Sequence, residues 1–383
     1  MPSTRSRVDS VPATDEGFRA YLDRRIADRD VIDLLVAFPG FEPPAHIREA
    51  FQRAAGGGFF HYGESRGLLP LREAIARQLE AEKGIEADPE REIVVTSGAS
   101  GALFTAVWTF ADRADEVILP DPTFQMITKN VVMAGAKPVF IPFSADLSFP
   151  VERLARAVSS RTRMICLVNP ENPTGMVYPE EVLQEIARIA CEQDLLVLTD
   201  EVHDRFVYEG RHLSIAALPG MKERTILVNS FSKAYGIGGL RVGYAVMPPA
   251  LLELFLRLHR NDNPHPCIAA QAAAQAAAEG PQDFLREWRE ECRPRRDYCV
   301  EALNGIEGVS CRRPQSGIVL FPDVSARGSS EEVARLLADR ARVAVHPGSR
   351  YGPAGEGHLR ICFGSVSFPL LREAMERIRE ALR

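Results

Sequence analysis

Thr225-Ile-Leu-Val-Asn-Ser-Phe-Ser-Lys233 reads as a short apolar run that ends in small polar residues and a lysine. Thr225–Val228 is rich in branched aliphatic residues without alternation, the pattern of a strand buried on both faces. Six more runs of this kind surround it: Glu92–Thr96, Glu116–Leu119, Lys137–Phe140, Met164–Val168, Leu195–Thr199 and Val242–Val246. Helical patterns such as Gly101–Ala111 and Glu180–Gln193 lie between them. This alternation predicts an α/β unit built on a mostly parallel, seven-stranded sheet. Ligands of such sheets bind beyond the carboxyl ends of the strands, where Lys233 falls.

Outward from this centre the pattern changes near Asn261, where Asn261–Pro266 is polar and proline-rich. Helical stretches follow at Ala269–Ala278 and Phe284–Leu303, then strand candidates at Gly317–Phe321 and His358–Cys362, and a last helix from Pro369. The isolated apolar run Asp33–Val36 precedes a proline-rich segment and is expected to join this C-terminal part. The expected organisation is a large unit over residues 46–262 and a smaller α+β unit made of 1–45 and 263–383.

Bulk properties narrow the function classes. A net charge of -6 gives no electrostatic reason to expect nucleic acid or an anionic membrane as partner. The seven cysteines are scattered and form no C-x-x-C pair, so neither a metal site nor a disulfide framework is expected. Met1–Asp30 is polar, without an apolar run of signal-peptide length, and no stretch approaches a membrane span. A cytoplasmic enzyme is the expectation.

Four segments could carry chemistry. Lys233 follows a buried strand among hydroxyl residues, where desolvation or a nearby cation would free its amine to attack a carbonyl. Position alone does not separate it from a solvated surface lysine. Asn169-Pro-Glu-Asn-Pro-Thr-Gly175 follows another strand, and its prolines and glycine can hold Asn172 rigidly as a donor or simply make a turn. Leu195–Thr199 ends in Asp200-Glu201, a carboxylate placed to meet a protonated nitrogen or to cap a helix. Ser97-Gly-Ala-Ser-Gly101 lies between strand and helix, where open N–H groups suit a phosphate.

In this order the segments resemble a class I/II aminotransferase, of the aspartate-aminotransferase-like group of fold-type I enzymes that use pyridoxal 5'-phosphate. The resemblance runs from about Asp33 to the C-terminus. It rests on Gly98-Ala-Ser100, Asn169–Gly175, Asp200-Glu201, Ser230-x-Ser-Lys233, Gly239-Leu-Arg-Val-Gly243 and Arg360. It implies that Lys233 holds the cofactor covalently and later moves the substrate's α-proton, and that Asp200 faces the pyridine nitrogen. It implies that Asn172 donates to the ring's phenolic oxygen, and that Ala99, Ser100, Ser230, Ser232 and Arg241 hold the phosphate beside Gly98. Phe124 would stack on the ring, unless it is only a core residue. Arg360 would grip the substrate α-carboxylate, with Ala37 and Asn172 beside the substrate. Tyr62, ahead of Gly67-Leu-Leu-Pro-Leu-Arg72, resembles the tyrosine given across a homodimer to the neighbour's phosphate, so shared active sites are implied.

Two departures from the family pattern stand out. Asp200-Glu-Val-His203 has histidine where a second donor to the phenolic oxygen is usually tyrosine. Histidine ordinarily titrates near neutrality and can exchange protons. The same residue occurs in some C–S β-lyases of this fold, so elimination is the alternative to amino transfer. Val36-Ala-Phe-Pro39 replaces a glycine near the substrate carboxylate, which predicts a reshaped pocket. Two unrelated classes fit less well. Gly236-Ile-Gly-Gly-Leu-Arg241 resembles a dinucleotide fingerprint but lacks its last glycine. A regulator on this fold would need a DNA-binding module, and no helix-turn-helix pattern is present.

Overall fold

All seven apolar runs enter one sheet. The computed structural model describes residues 16–27, 30–58 and 61–383; the first fifteen residues of the expected smaller unit lie outside them. Twelve strands are described: β1 (Ile32–Asp33), β2 (Ile93–Ser97), β3 (Glu116–Asp121), β4 (Lys137–Pro142), β5 (Thr162–Val168), β6 (Leu196–Asp200), β7 (Thr225–Ser230), β8 (Val242–Val246), β9 (Val319–Leu320), β10 (Val343–Ala344), β11 (His346–Pro347) and β12 (Leu359–Cys362). The helices used below are α1 (Glu16–Ile26), α2 (Ala45–Gly56), α3 (Leu69–Lys83), α4 (Gly98–Phe110), α5 (Gln125–Ala134), α6 (Val151–Ala157), α7 (Glu180–Glu192), α8 (Pro249–Asp262) and α9 (Ile268–Glu279).

The central sheet has the order β2-β8-β7-β6-β5-β3-β4. Only β8 runs against its neighbours; the other pairings are parallel. Both faces are covered, which explains the unbroken apolar runs. Ile226, Leu227 and Val228 are sealed from solvent, each contributing about 1.5–3 kcal/mol through the apolar area removed from water. The carboxyl ends of β2, β3, β5, β6 and β7 share one rim. Because β8 is reversed, its beginning lies at that rim, with Val242 opposite Ser97 and Gly243 opposite Ser230. The reversal brings Arg241 to the ligand side.

A separate core joins the two ends of the chain. Phe18, Leu22, Leu34 and Leu35 pack with Val319, Val343, Ile361, Leu371 and Ile378. Within it β1 pairs in parallel with β10, and β12 lies between β9 and β11. We propose the division at residues 46 and 262 with one adjustment: the alanines of α9 pack with Ile47, Leu71 and Ile75 of α2 and α3, on the side of the large sheet.

Candidate active site

The rim of the sheet and the second core enclose a cavity of about 500 Å³. Lys233, Asp200, Asn172, His203, Phe124, Ala99, Ser100, Ser230, Ser232, Arg241, Ala37 and Arg360 all line it. Residues separated by more than 300 positions in sequence thus meet at one place. Gly98 stands just behind, and Tyr62 stands elsewhere.

Lys233 follows the end of β7, and its Nζ donates to the carbonyl of Ala37. Burial, then the guanidinium groups of Arg360 and Arg241, push its amine down to about 8 from 10.5, with Asp200 pulling the other way. An amine so placed is uncharged far more often near neutrality than a surface lysine, which nucleophilic attack on a carbonyl requires. Asp200 ends β6 and is buried; one oxygen accepts the Val202 N–H at 3.1 Å. Burial raises its carboxyl to about 7, Glu201 and Asp204 add to the rise, and Lys233 opposes it. A cationic nitrogen opposite Asp200 would relieve that burial cost.

Arg360, on β12, is buried and makes its hydrogen bonds to neutral acceptors: Nη1 to Leu35 O at 3.0 Å and Nε to Asn172 Oδ1 at 3.1 Å. Its guanidinium also lies over the Tyr351 ring, 5.5 Å from the centroid. No carboxylate among the described residues neutralises it, so its charge is available to a ligand anion. The bond to Asn172 fixes an otherwise ambiguous amide. Arg360 Nε can only donate, so Asn172 Oδ1 faces it and Nδ2 is the group offered to the cavity. Behind Asn172 lies Glu171, a buried carboxyl that accepts from Thr123 Oγ1 at 3.0 Å, from Tyr178 Oη at 3.3 Å and from the Asn172 N–H at 3.1 Å. Burial holds it well above the usual carboxylate range. Glu171 sits within the quoted Asn169–Gly175 segment, but its role needed the contacts of Thr123 and Tyr178 to become visible.

The other end of the cavity suits a phosphate. Helix α4 begins at Gly98, whose φ is +68°, and Ser97 makes no side-chain cap. The first-turn N–H groups at Ala99 and Ser100 are therefore left for an anion. Gly98 and Gly243 let the chain close around this point. A Cβ at Gly98 would lie 2.5 Å from Arg241 Nη2, and one at Gly243 would lie 2.5 Å from Ala99 N. Arg241 itself has φ +57° and donates to Gly238 O at 2.9 Å, a bend that turns it to the rim. The Ser232 N–H donates to Ser230 Oγ at 3.3 Å, holding both serines at the same corner. Cationic, hydroxyl and N–H donors at one end, with a suppressed carboxyl and a lysine of low basicity at the other, fit a phosphate-bearing cofactor with a carbonyl and a basic ring nitrogen.

Phe124 both lines the cavity and packs against the core between α4 and the sheet, so the stacking and core readings are compatible. His203 departs from its sequence expectation. Burial, with Lys233 and Arg360 close by, lowers it to about 3, so the imidazole is neutral across the ordinary pH range rather than titrating near neutrality. Its Nδ1 is buried without a hydrogen-bond partner. Tyr62 is 92% exposed, with its ring edge-on to His265 at 5.7 Å, and does not line the cavity of its own chain. Sequence reading also missed Met126, His346 and Tyr351 in the cavity wall. These residues carry no motif and reach the wall only through tertiary packing.

The chain matches the family described as "Aminotransferase class I and II" over residues 29–378. It is 37% identical to an aspartate aminotransferase of Pyrococcus abyssi, covering 98% of this chain and 97% of the relative. It is 36% identical to aromatic-amino-acid aminotransferase 2 of Thermococcus litoralis, covering 92% of each. The solved aromatic aminotransferase of Pyrococcus horikoshii superposes with a TM-score of 0.89 at 38% identity, over 94% of this chain and 98% of that one. With its fold, its cavity and these relatives in agreement, the chain belongs to the aminotransferase class I and II family.

Proposed function

We propose that this enzyme moves the amino group of an α-amino acid to a 2-oxo acid with Lys233, Asp200 and Arg360 as its principal residues. The family uses pyridoxal 5'-phosphate. Bound in this cavity, its protonated ring supplies an electron sink for the charge that develops at the substrate's Cα. Lys233 holds the cofactor when no substrate is present and accepts the Cα proton when one is. Asp200 keeps the ring nitrogen protonated. Arg360 orients the substrate by its α-carboxylate, and Asn172 and His203 donate to the ring's oxygen. Ala99, Ser100, Ser230, Ser232 and Arg241 bind the phosphate. The observation that carries this reading is the meeting of an amine of lowered basicity, a suppressed carboxylate and an arginine without a carboxylate partner around one cavity.

The elimination alternative raised by His203 is not favoured, since the relatives named above are all aminotransferases. We further read the enzyme as a cytoplasmic homodimer. Its seven cysteines are free thiols, which suits a reducing compartment, and no helix among the described residues is long and apolar enough to cross a membrane.

The test is product analysis across a panel of amino acids with a 2-oxo acid acceptor. Transfer should yield the donor's 2-oxo acid and a new amino acid; ammonia without a new amino acid would sink the assignment. Lys233→Ala should lose the visible absorbance of covalently held cofactor. A borohydride-trappable adduct surviving in that variant would identify a different lysine.

A further inference from the structure

Directly behind the rim lies a buried charge cluster that the reaction itself does not use. Lys83, the last residue of α3, extends its Nζ to within 2.6 Å of both Glu201 Oε2 and Asp204 Oδ2. All three side chains are buried, Glu201 completely. Glu201 Oε1 also accepts from Ser214 Oγ at 2.6 Å, and His212 Nε2 lies 3.7 Å from Oε2. Asp204 Oδ2 accepts from Asn229 Nδ2 at 2.9 Å, and Asn229 Oδ1 accepts the Ser230 N–H at 2.7 Å. The Glu201 N–H donates to Val228 O at 2.9 Å, which extends the β6–β7 pairing past Asp200.

Two links therefore run from Lys83 to the rim. One passes through Glu201 to Asp200, the residue directly before it. The other passes through Asp204 and Asn229 to Ser230, three positions before Lys233. Burial alone would oppose ionisation of Asp204, but Lys83 and Arg205 outweigh it and hold the carboxyl at about 2. The same two carboxylates keep Lys83 protonated against its own burial. With no solvent to share the charge, each member depends on the others for a partner.

We propose that Lys83 is a positioning residue: by clamping Glu201 and Asp204 it fixes the ends of β6 and β7, and so the relative placement of Asp200, Ser230 and Lys233. The inference rests on the site reading above and deepens it. Among the described residues Arg360 bonds to Leu35 and Asn172, neither of which belongs to this cluster, so substrate anchoring is separable from it.

The test compares holoenzymes of the wild type, Lys83→Met, Lys83→Arg and Asn229→Leu by cofactor titration, steady-state kinetics and thermal unfolding. Lys83→Met should weaken cofactor affinity and lower kcat, each at least tenfold, while the KM for the amino acid stays within about twofold. Lys83→Arg, which keeps the charge, should recover most of both losses. Should Lys83→Met fail to fold, Asn229→Leu decides, because it cuts the link to Ser230 and leaves the ion cluster intact; it should show the same weakened affinity and the same kcat loss at unchanged KM. A folded Lys83→Met, or failing that Asn229→Leu, that matches the wild type in cofactor affinity and kcat overturns the proposal while leaving the site reading in place. A wild-type protein that takes up no cofactor overturns the site reading itself.

Discussion

The environments of Asp200 and Lys233 change their chemistry, and both residues link cofactor binding to pH. In the cofactor-free protein, Asp200 has a folded value near 7 against an ordinary 3.8. A carboxyl raised in this way contributes stability that is fully present below about 3.8 and is lost as pH rises through about 7. A protonated nitrogen facing Asp200 lowers its folded value and removes that loss. Lys233 acts in the same direction: held near 8, it must shed a proton below that pH before its amine can attach the cofactor. The gain in Tm on adding cofactor is therefore expected to be larger at pH 8 than at pH 5.5. Asp200→Asn should reduce the difference to the part that Lys233 supplies. Thermal unfolding of both forms at the two pH values checks this; a gain independent of pH in the wild type would contradict the assigned burial of both groups. His203, held neutral, adds nothing to this dependence, so His203→Gln should leave the difference unchanged.

At the scale of elements, one of the two tightest approaches in the site is backbone against backbone. Strand β8 presses on the start of α4, and Gly243 is the point of contact, with a Cβ there falling 2.5 Å from both Ala99 N and Gly98 C. Backbone cannot swing aside as a flexible side chain can. Gly243→Ala is expected to cost about 1–3 kcal/mol of stability through overpacking. It should also weaken cofactor affinity more than tenfold by tilting the N–H groups at Ala99 and Ser100. Urea unfolding and cofactor titration measure the two effects, and unchanged affinity would mean that the helix start does not hold the phosphate. The strands of this sheet are legible because burial on both faces leaves a plain apolar run: the run Val242–Val246 has the limits of β8, and the run Thr225–Val228 stops two residues short of the end of β7 at Ser230. The reversed direction of β8 was not legible, since a buried strand has the same composition in either direction. Helix α3 carries Leu71, Ala74, Ile75 and Leu79 at helical spacing, but nothing in that pattern marks Lys83, because its partners lie more than a hundred positions away. The short pairing of Ile32–Asp33 with Val343–Ala344 shows the same limit: two residues carry too little pattern to declare a strand.

At the scale of the whole molecule, the open question is what covers Tyr62. A tyrosine carries about 150–250 Å² of largely apolar surface, and this one is 92% exposed in a single chain. It belongs to the loop leading into α3, away from the cavity that its own Lys233 lines. If a second copy buries it, the solution species should have twice the 42.3 kDa chain mass, and Tyr62→Ala should weaken cofactor affinity without altering any residue of its own cavity. Complementation then tells whose site the tyrosine serves. A mixed dimer of a Tyr62→Ala chain and a Lys233→Ala chain has one live lysine, on the chain that lacks the tyrosine. If Tyr62 reaches across the interface, that lysine's cavity receives an intact tyrosine from the partner, and the mixed dimer shows one site of wild-type affinity. If Tyr62 serves its own chain, the only live site is the weakened one. Cofactor titration of the purified mixed dimer separates the two outcomes, and sedimentation at the same concentration confirms that a dimer is being titrated.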